Sequence, residues 1–193
     1  MASCQAWCSS PAAVAYHDEE WGVPVHDDRQ HFEDLCMESF QSGLNWNLVL
    51  GKRGILRKCF RDFDPALVAE LKEGDVEAIL AEPGMIKSRR KVEAIIGNAR
   101  AFLEIAREWG SFDQFIWSYT QGKTLVYRPW ENAASNDLSD RIYRDLKKRG
   151  FRFVGTVTVY SYLQACGIVN DHAPDCPCFE KICHGADIQW IQK

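Results

Sequence analysis

Apolar residues recur every three to four positions along most of this chain, and the recurrence predicts helices. Between His31 and Phe40, the residues Phe32, Leu35, Cys36 and Phe40 fall on one side. Asp64 followed by Pro65 reads as an N-cap with proline at the first helical position, and the helix continues through Leu71. A short helical segment, Val76 to Leu80, stops at Pro83-Gly84. Ser88 then opens the best-patterned stretch, in which Val92, Ile95, Ile96, Ala99, Leu103 and Ala106 form an apolar stripe that Gly110 ends. Ser111 with Gln114 three residues on predicts a helix start before Phe115 to Tyr119. Leu138, Ile142 and Leu146 mark another amphipathic helix, with Lys147-Lys148-Arg149 in its last turn and Gly150 after it.

Two segments break the helical pattern. Residues 120–136 show no sustained period and read as a long surface connection. Val154 to Ala165 is β-branched and aromatic, so propensity alone permits a strand. One candidate strand among about seven helices predicts an all-α fold. On a wheel centred on Phe32, Cys36 and Phe40, Glu38 falls on the polar side with Asp34 and Gln41, so periodicity places it in solvent.

Composition sets bounds on this picture. The 193 residues are 46% hydrophobic and 26% charged, enough for one domain with a real core or two small lobes sharing one. The net charge of −4 gives no polycation, so any nucleic-acid binding has to come from a local basic face. The N-terminus has no basic segment followed by an apolar run, and no stretch reaches the ~18 apolar residues of a spanning helix, so the expectation is a soluble cytoplasmic protein. In a reducing cytosol the eight cysteines are buried small hydrophobes or metal ligands, and Cys36, Cys59 and Cys166, set among apolar residues, read as core.

Three constellations carry candidate chemistry. His172 and Cys176, four apart, suit one metal ion. The other two ligands would come from Cys4, Cys8, His17 or His26, or locally from the group Cys176, Cys178, Cys183 and His184. Reduced cysteines with surface histidines are the plain alternative. Lys87-Ser88-Arg89-Arg90-Lys91 puts cations at a helix start, where they oppose the macrodipole unless an anion such as phosphate sits there; a solvated charged face is the simpler reading. A second basic run spans Lys147 to Arg152. Trp7, Tyr16, Trp21, Glu38 and Trp46 gather aromatics and an acid near the front of the chain, where most tryptophans are expected to be core.

Five stretches together go further. YHDEEWGVP (16–24), ESFQSGLNW (38–46), KVEAIIGNAR (91–100), KKRGFRFV (147–154) and QACGIVNDH (164–172), in this order and spacing, resemble the 3-methyladenine DNA glycosylase I family from about Cys4 to Cys178. The resemblance implies an all-helical fold of the helix-hairpin-helix glycosylase superfamily, with lobes of roughly 1–60 plus 155–180 and 61–154. It implies a monomer that excises 3-methyladenine from alkylated double-stranded DNA without lyase activity.

A structural zinc on Cys4, His17, His172 and Cys176 is implied likewise, with Cys8 as a substitute for Cys4. The flipped base would meet Tyr16, Trp21 and Trp46, with Glu38 as the catalytic carboxylate. Gln41, Gly43 and Leu44 would enter the DNA gap, and the turn Phe153-Val154-Gly155-Thr156, with Lys147 and Arg149, would hold the phosphate backbone. Asn170 stands where the superfamily often has its catalytic aspartate, which leaves Asp171 as a stand-in. Ala13 replaces a frequent tyrosine. A damaged-DNA binding module without catalysis, and a zinc-stabilised interaction domain, are the competing readings.

Overall fold

The computed structural model of the chain describes residues 3–131 and 133–192. Position 132 of the expected 120–136 connection and the last residue of the 184–193 tail lie outside the described residues. The helices are α1 (Pro11–Glu19), α2 (Asp28–Gln41), α3 (Trp46–Leu50), α4 (Arg53–Cys59), α5 (Pro65–Ala69), α6 (Glu73–Ala81), α7 (Arg89–Trp109) and α8 (Phe112–Ser118). Strand β1 (Thr124–Arg128) follows, then α9 (Asp137–Lys148), α10 (Thr156–Ala165), α11 (Pro177–Gly185) and strand β2 (Ile188–Gln192).

Local chemistry starts and stops these helices. The Asp27 side chain caps α2 through the Gln30 amide, Asp64 caps α5 ahead of Pro65, and Ser111 caps α8 through the Gln114 amide. Asp28 adds a long-range cap to α8, its carboxylate accepting from the amides of Phe112 and Asp113 at 3.0 and 2.8 Å. Asn136 and Ser139 close a reciprocal box at the start of α9. Gly110, at φ 90°, ends α7 in a conformation an L side chain rarely adopts.

α7 is the central helix, with α5, α6 and α8 packed on it and α2 crossing it; α10 packs on both α2 and α9. Its apolar stripe is shifted slightly from the periodic expectation. Phe102 and Ile105 occupy the core with Val92, Ile95 and Ala99, whereas Leu103 and Ala106 sit half-buried at the margin. One hydrophobic cluster runs from Phe32 and Phe40 through Val68 and Phe102 to Leu146 and Tyr162, so both halves of the sequence share a single core. Cys36 and Cys166 belong to it, and Cys59 packs at its edge.

Several expectations need correction. The fold is mostly rather than wholly α-helical, because β1 pairs with β2 in a parallel two-stranded sheet from Thr124↔Ile188 to Arg128↔Gln192. The connection at 120–136 therefore contains a strand, and the tail supplies its partner. Five residues per strand are too few for a period to stand out, and the pairing joins segments about 60 positions apart. Residues 168–170 continue this arrangement, since Leu125 donates its amide to the Ile168 carbonyl and accepts from the Asn170 amide. Conversely, the β-prone segment at 154–165 is helix α10, where tertiary packing against α2 and α9 overrides propensity.

The basic segment at the start of α7 has internal partners. Arg89 pairs with Glu73, Glu77 and Glu93. Lys91, 8% exposed, donates from Nζ to the carbonyls of Phe40 and Ser42 at 2.7 and 2.6 Å. The negative end of α2, rather than a phosphate, is the partner of this cation. No helix among the described residues is long and apolar enough to cross a membrane.

Candidate active site

Beyond its first turn α2 has no solvated face: all ten residues from His31 to Phe40 are buried, including Asp34 and Glu38. The placement of Glu38 in solvent is thereby overturned. Its side of the helix instead lines a cavity of about 400 Å³ shared with α1, α3, α10, the N-terminal segment and the connection before α9. Ser10 caps α1 and turns Tyr16 inward. The Asn45 side chain caps α3 through the Asn47 amide, which sets Trp46 at the first helical position. Asn47 in turn donates to the Trp7 carbonyl at 2.9 Å, fixing the N-terminal segment against the same opening.

Tyr16, Trp21, Glu38, Gln41 and Trp46 thus line one cavity. Tyr16 and Trp46 form its aromatic wall, ring centroids 5.1 Å apart, and Trp7 continues that wall with contacts of 6.1 Å to Tyr16 and 5.7 Å to Trp21. Two of its lining residues carry a buried polar atom without a hydrogen-bond partner among the described residues: Glu38 Oε2 and Trp46 Nε1. An orphan of this kind costs ~1–3 kcal/mol, a cost that a bound ligand offering complementary atoms removes. Burial pushes the Glu38 carboxyl up to about 8, and the Asp34 charge adds to it. Asp34 is itself raised by burial to about 7, partly offset by a 2.7 Å hydrogen bond from Gln30. The cavity therefore holds a largely protonated acid near neutral pH that ionises readily beside a positive charge.

On the opposite wall stand residues that the aperiodic and β-prone segments hid: Trp130, Tyr160, Ser161 and Gln164. Tyr160 and Gln164 are one turn apart on α10, a signal usable only once that segment is known to be helical. Both hold the Asp171 carboxylate, at 3.1 and 2.6 Å, while Trp130 donates to the Asp171 carbonyl. Asp171 reaches the cavity. Asn170 instead spends its amide on the Phe179 carbonyl and the Cys183 sulfur. Ala13 is fully buried in α1.

Beside the cavity lies a buried group of Cys4, His17, His172 and Cys176, whose ligand atoms all fall within 4.8 Å of one another. Cys4 Sγ is 3.4 Å from His17 Nε2 and 4.0 Å from His172 Nδ1, and Cys176 Sγ is 3.5 Å from His172 Nδ1. Tetrahedral zinc with its usual bond lengths has sulfur–nitrogen edges of roughly 3.5 Å, so the four residues fit such an ion. Both imidazoles are oriented from behind: His17 Nδ1 meets Asp18 Oδ1 at 2.7 Å, and His172 Nε2 meets the Trp21 carbonyl at 2.9 Å. Gly22, at φ 83°, packs so closely that a Cβ there would stand 3.1 Å from the His172 ring. Cys8 is not part of the group.

The segment from Arg149 to Gly155 turns tightly between the packed helices α9 and α10. Phe153 adopts φ 55°, Val154 is buried, and Gly155 is the N-cap of α10, which has no side-chain cap. Thr156 is bonded to Asp140 and Ser139. Arg149 pairs with Glu108 in a two-pronged contact and Lys147 donates to the Tyr143 hydroxyl, so neither lines the cavity. Beyond Gln41, Gly43 turns at φ 77° in open space and Leu44 is 38% exposed.

Comparison with known proteins identifies the family. A family model described as methyladenine glycosylase matches residues 7–180. DNA-3-methyladenine glycosylase 1 of Escherichia coli (strain K12) is 46% identical over 186 residues, 93% of this chain and 97% of its own length. A crystal structure of 3-methyladenine DNA glycosylase I (TAG) superposes with a TM-score of 0.84 at 46% identity, covering 88% of this chain and 95% of the other. A variant of such an enzyme in complex with 3-methyladenine matches with a TM-score of 0.84 at 35% identity, over 88% and 92% of the two chains. With the match spanning most of its length, the chain belongs to the methyladenine glycosylase family.

Proposed function

We propose that this protein is a DNA-3-methyladenine glycosylase that hydrolyses the N-glycosidic bond of 3-methyladenine in alkylated double-stranded DNA and so initiates base excision repair. The observation that carries this reading is the pairing of a buried, hydrogen-bond-deficient Glu38 with the rings of Tyr16 and Trp46 in one base-sized cavity.

The chemistry follows from the substrate. Methylation at N3 makes the base a cation and a good leaving group. Water attacks C1′, the bond from C1′ to the base breaks, the base departs neutral, and the water proton passes to solvent. Recognition therefore carries most of the discrimination. Extruding the nucleotide costs a few kcal/mol, and stacking with cation–π attraction on Tyr16, Trp46 and Trp21 returns ~1–3 kcal/mol per contact. An ionised Glu38 about 4 Å from the cationic base adds on the order of 4 kcal/mol at an effective dielectric of 20. Deprotonating Glu38 at neutral pH costs about 1.4 kcal/mol, so the charged pair wins for the lesion and not for neutral adenine.

DNA would be held by two turns. The α10 N-terminus around 153–156, which has no side-chain cap, and the nearby cations Lys147 and Arg149 would offer a phosphate site, making α9 and α10 the helix-hairpin-helix element. Gln41, Gly43 and Leu44 would fill the gap left by the flipped base, with the cavity at the seam of lobes 1–60 plus 155–180 and 61–154. On this reading water rather than an amine is the nucleophile, and no lyase step follows. Structural zinc on Cys4, His17, His172 and Cys176 would tie the two ends of the chain together and, with four protein ligands, leave no position for chemistry. The enzyme acts as a monomer in the cytoplasm on this reading.

Mass spectrometry of bases released from methylated DNA tests the proposal directly and reads 3-methylguanine and 7-methylguanine in the same run. Release of 3-methyladenine by the wild type and its loss in Glu38→Ala, with folding and zinc content retained, is the expected result. Tight binding to alkylated DNA without base release would favour a binding module instead.

A further inference from the structure

The buried ligands raise a question of access, since Cys4, His17, His172 and Cys176 are between 0 and 7% exposed and a hydrated ion must still reach them. His17 links them to the surface. Its Nε2 faces Cys4 and its Nδ1 faces Asp18. Cys178 stands beside Asp18, its Sγ 4.0 Å from Oδ1 and 3.8 Å from the Asp18 carbonyl. His17, Asp18 and Cys178 each offer a ligand atom within 4.8 Å of the others, and here Asp18 is exposed and Cys178 half-buried. Cys178 is only two residues from Cys176, one of the buried four, in the first turn of α11.

We propose that His17, Asp18 and Cys178 form a second, outer metal site, the port through which zinc enters and leaves the buried site. An imidazole, a carboxylate and a thiolate suit a borderline-soft divalent ion, with water completing the coordination. Loading then proceeds by ligand exchange. On this route Asp18, His17 and Cys178 would hold the incoming ion first, and Cys4, His172 and Cys176 would then replace Asp18 and Cys178, with His17 common to both sets. The thiol protons of Cys4 and Cys176 are released to solvent, and Cys178 recovers its own. At each step one protein ligand replaces another, so the ion is never returned to full hydration inside the protein. A rival route exists through the cavity, because Cys4 also lines it.

This inference rests on the zinc reading above, and the test separates the two. Zinc content of the purified protein is measured first by elemental mass spectrometry. Zinc transfer from the holoprotein to an excess of chromogenic chelator is then followed in wild type, Cys178→Ser, Cys178→Ala and, as a control in the same helix, Cys183→Ser. Both Cys178 variants are expected to release zinc roughly tenfold more slowly, with unchanged equilibrium affinity and unchanged cobalt spectrum, because Cys178 lies on the path and not in the final site. Cys183→Ser is expected to match wild type. Zinc present with wild-type release rates in both Cys178 variants overturns the port and leaves the zinc reading standing, and a weakened affinity or altered cobalt spectrum overturns it by making Cys178 a resident ligand. Protein that holds no zinc overturns both.

Discussion

Asp34 stands one helical turn before Glu38 on α2, and its charge reinforces the burial that holds the Glu38 carboxyl up near 8. Two buried acids on one helix face, one of them opening into an aromatic cavity, make the site sensitive to pH in a direction that can be worked out. A cationic base binds the ionised form of Glu38, so excision under kcat/KM conditions is expected to rise with pH, by up to about tenfold per unit, and to level near pH 8. Glu38→Gln removes the titration along with most of the activity. A flat wild-type profile between pH 6 and 8 would contradict the assignment.

The same shift has a consequence for stability. The folded carboxyl titrates near 8, against an ordinary value of 4.5, so between these pH values the folded state holds a proton that the unfolded state has lost. Stability from this group is complete below about 4.5 and falls as pH rises through about 8. Glu38→Gln should therefore be more stable than wild type at pH 8, by at most about 4–5 kcal/mol at 1.36 kcal/mol per unit, with the gain vanishing near pH 4. Urea melts at the two pH values check the sign.

Trp46→Ala removes one face of the aromatic wall. A loss of roughly 10–100-fold in kcat/KM on 3-methyladenine is expected, from ~1–3 kcal/mol of stacking and cation–π attraction. Trp46→Phe should recover part of it. Single-turnover kinetics that leave both variants at wild-type efficiency would remove Trp46 from the site.

Metal removal should loosen the end of the chain before the core. The N-terminal segment carrying Cys4 and Trp7 is held by the buried cysteine–histidine group and by Asn47. Chelation at elevated temperature is expected to lower Tm and to deprive the cavity of Trp7. Gly22→Ala, which sets a methyl against the His172 ring, should lower zinc occupancy in the same way. Elemental analysis together with hydrogen exchange over residues 3–10 reads both effects.

Lys91→Met leaves the carbonyls of Phe40 and Ser42 without their donor at the point where α2 gives way to the Gly43-Leu44 turn. Destabilisation of about 1.5–3 kcal/mol is expected, larger than for neutralising an exposed lysine such as Lys58. Denaturant midpoints of the two variants decide it.

Local signals in the sequence marked the starts of α5 and α8 and the end of α7, because the caps Asp64 and Ser111 and the stop Gly110 act through bonds spanning a few residues, whereas the short helices α1, α3, α4 and α11 went unread. Five ordered motifs likewise sufficed to name the family. What local pattern could not carry was any pairing between distant segments. The β1–β2 sheet, the docking of Lys91 on the end of α2, and the wall formed by Trp130, Tyr160 and Gln164 each join residues whose separation erases periodic signal. Glu38 shows the difference most sharply. Its wheel position marked it as polar, which is correct, but a wheel does not say whether the polar side of a helix meets bulk water or a cavity. Only the packing of α1, α3 and α10 around α2 turned that side inward, and burial there is what raises the carboxyl and leaves its oxygen without a partner among the described residues.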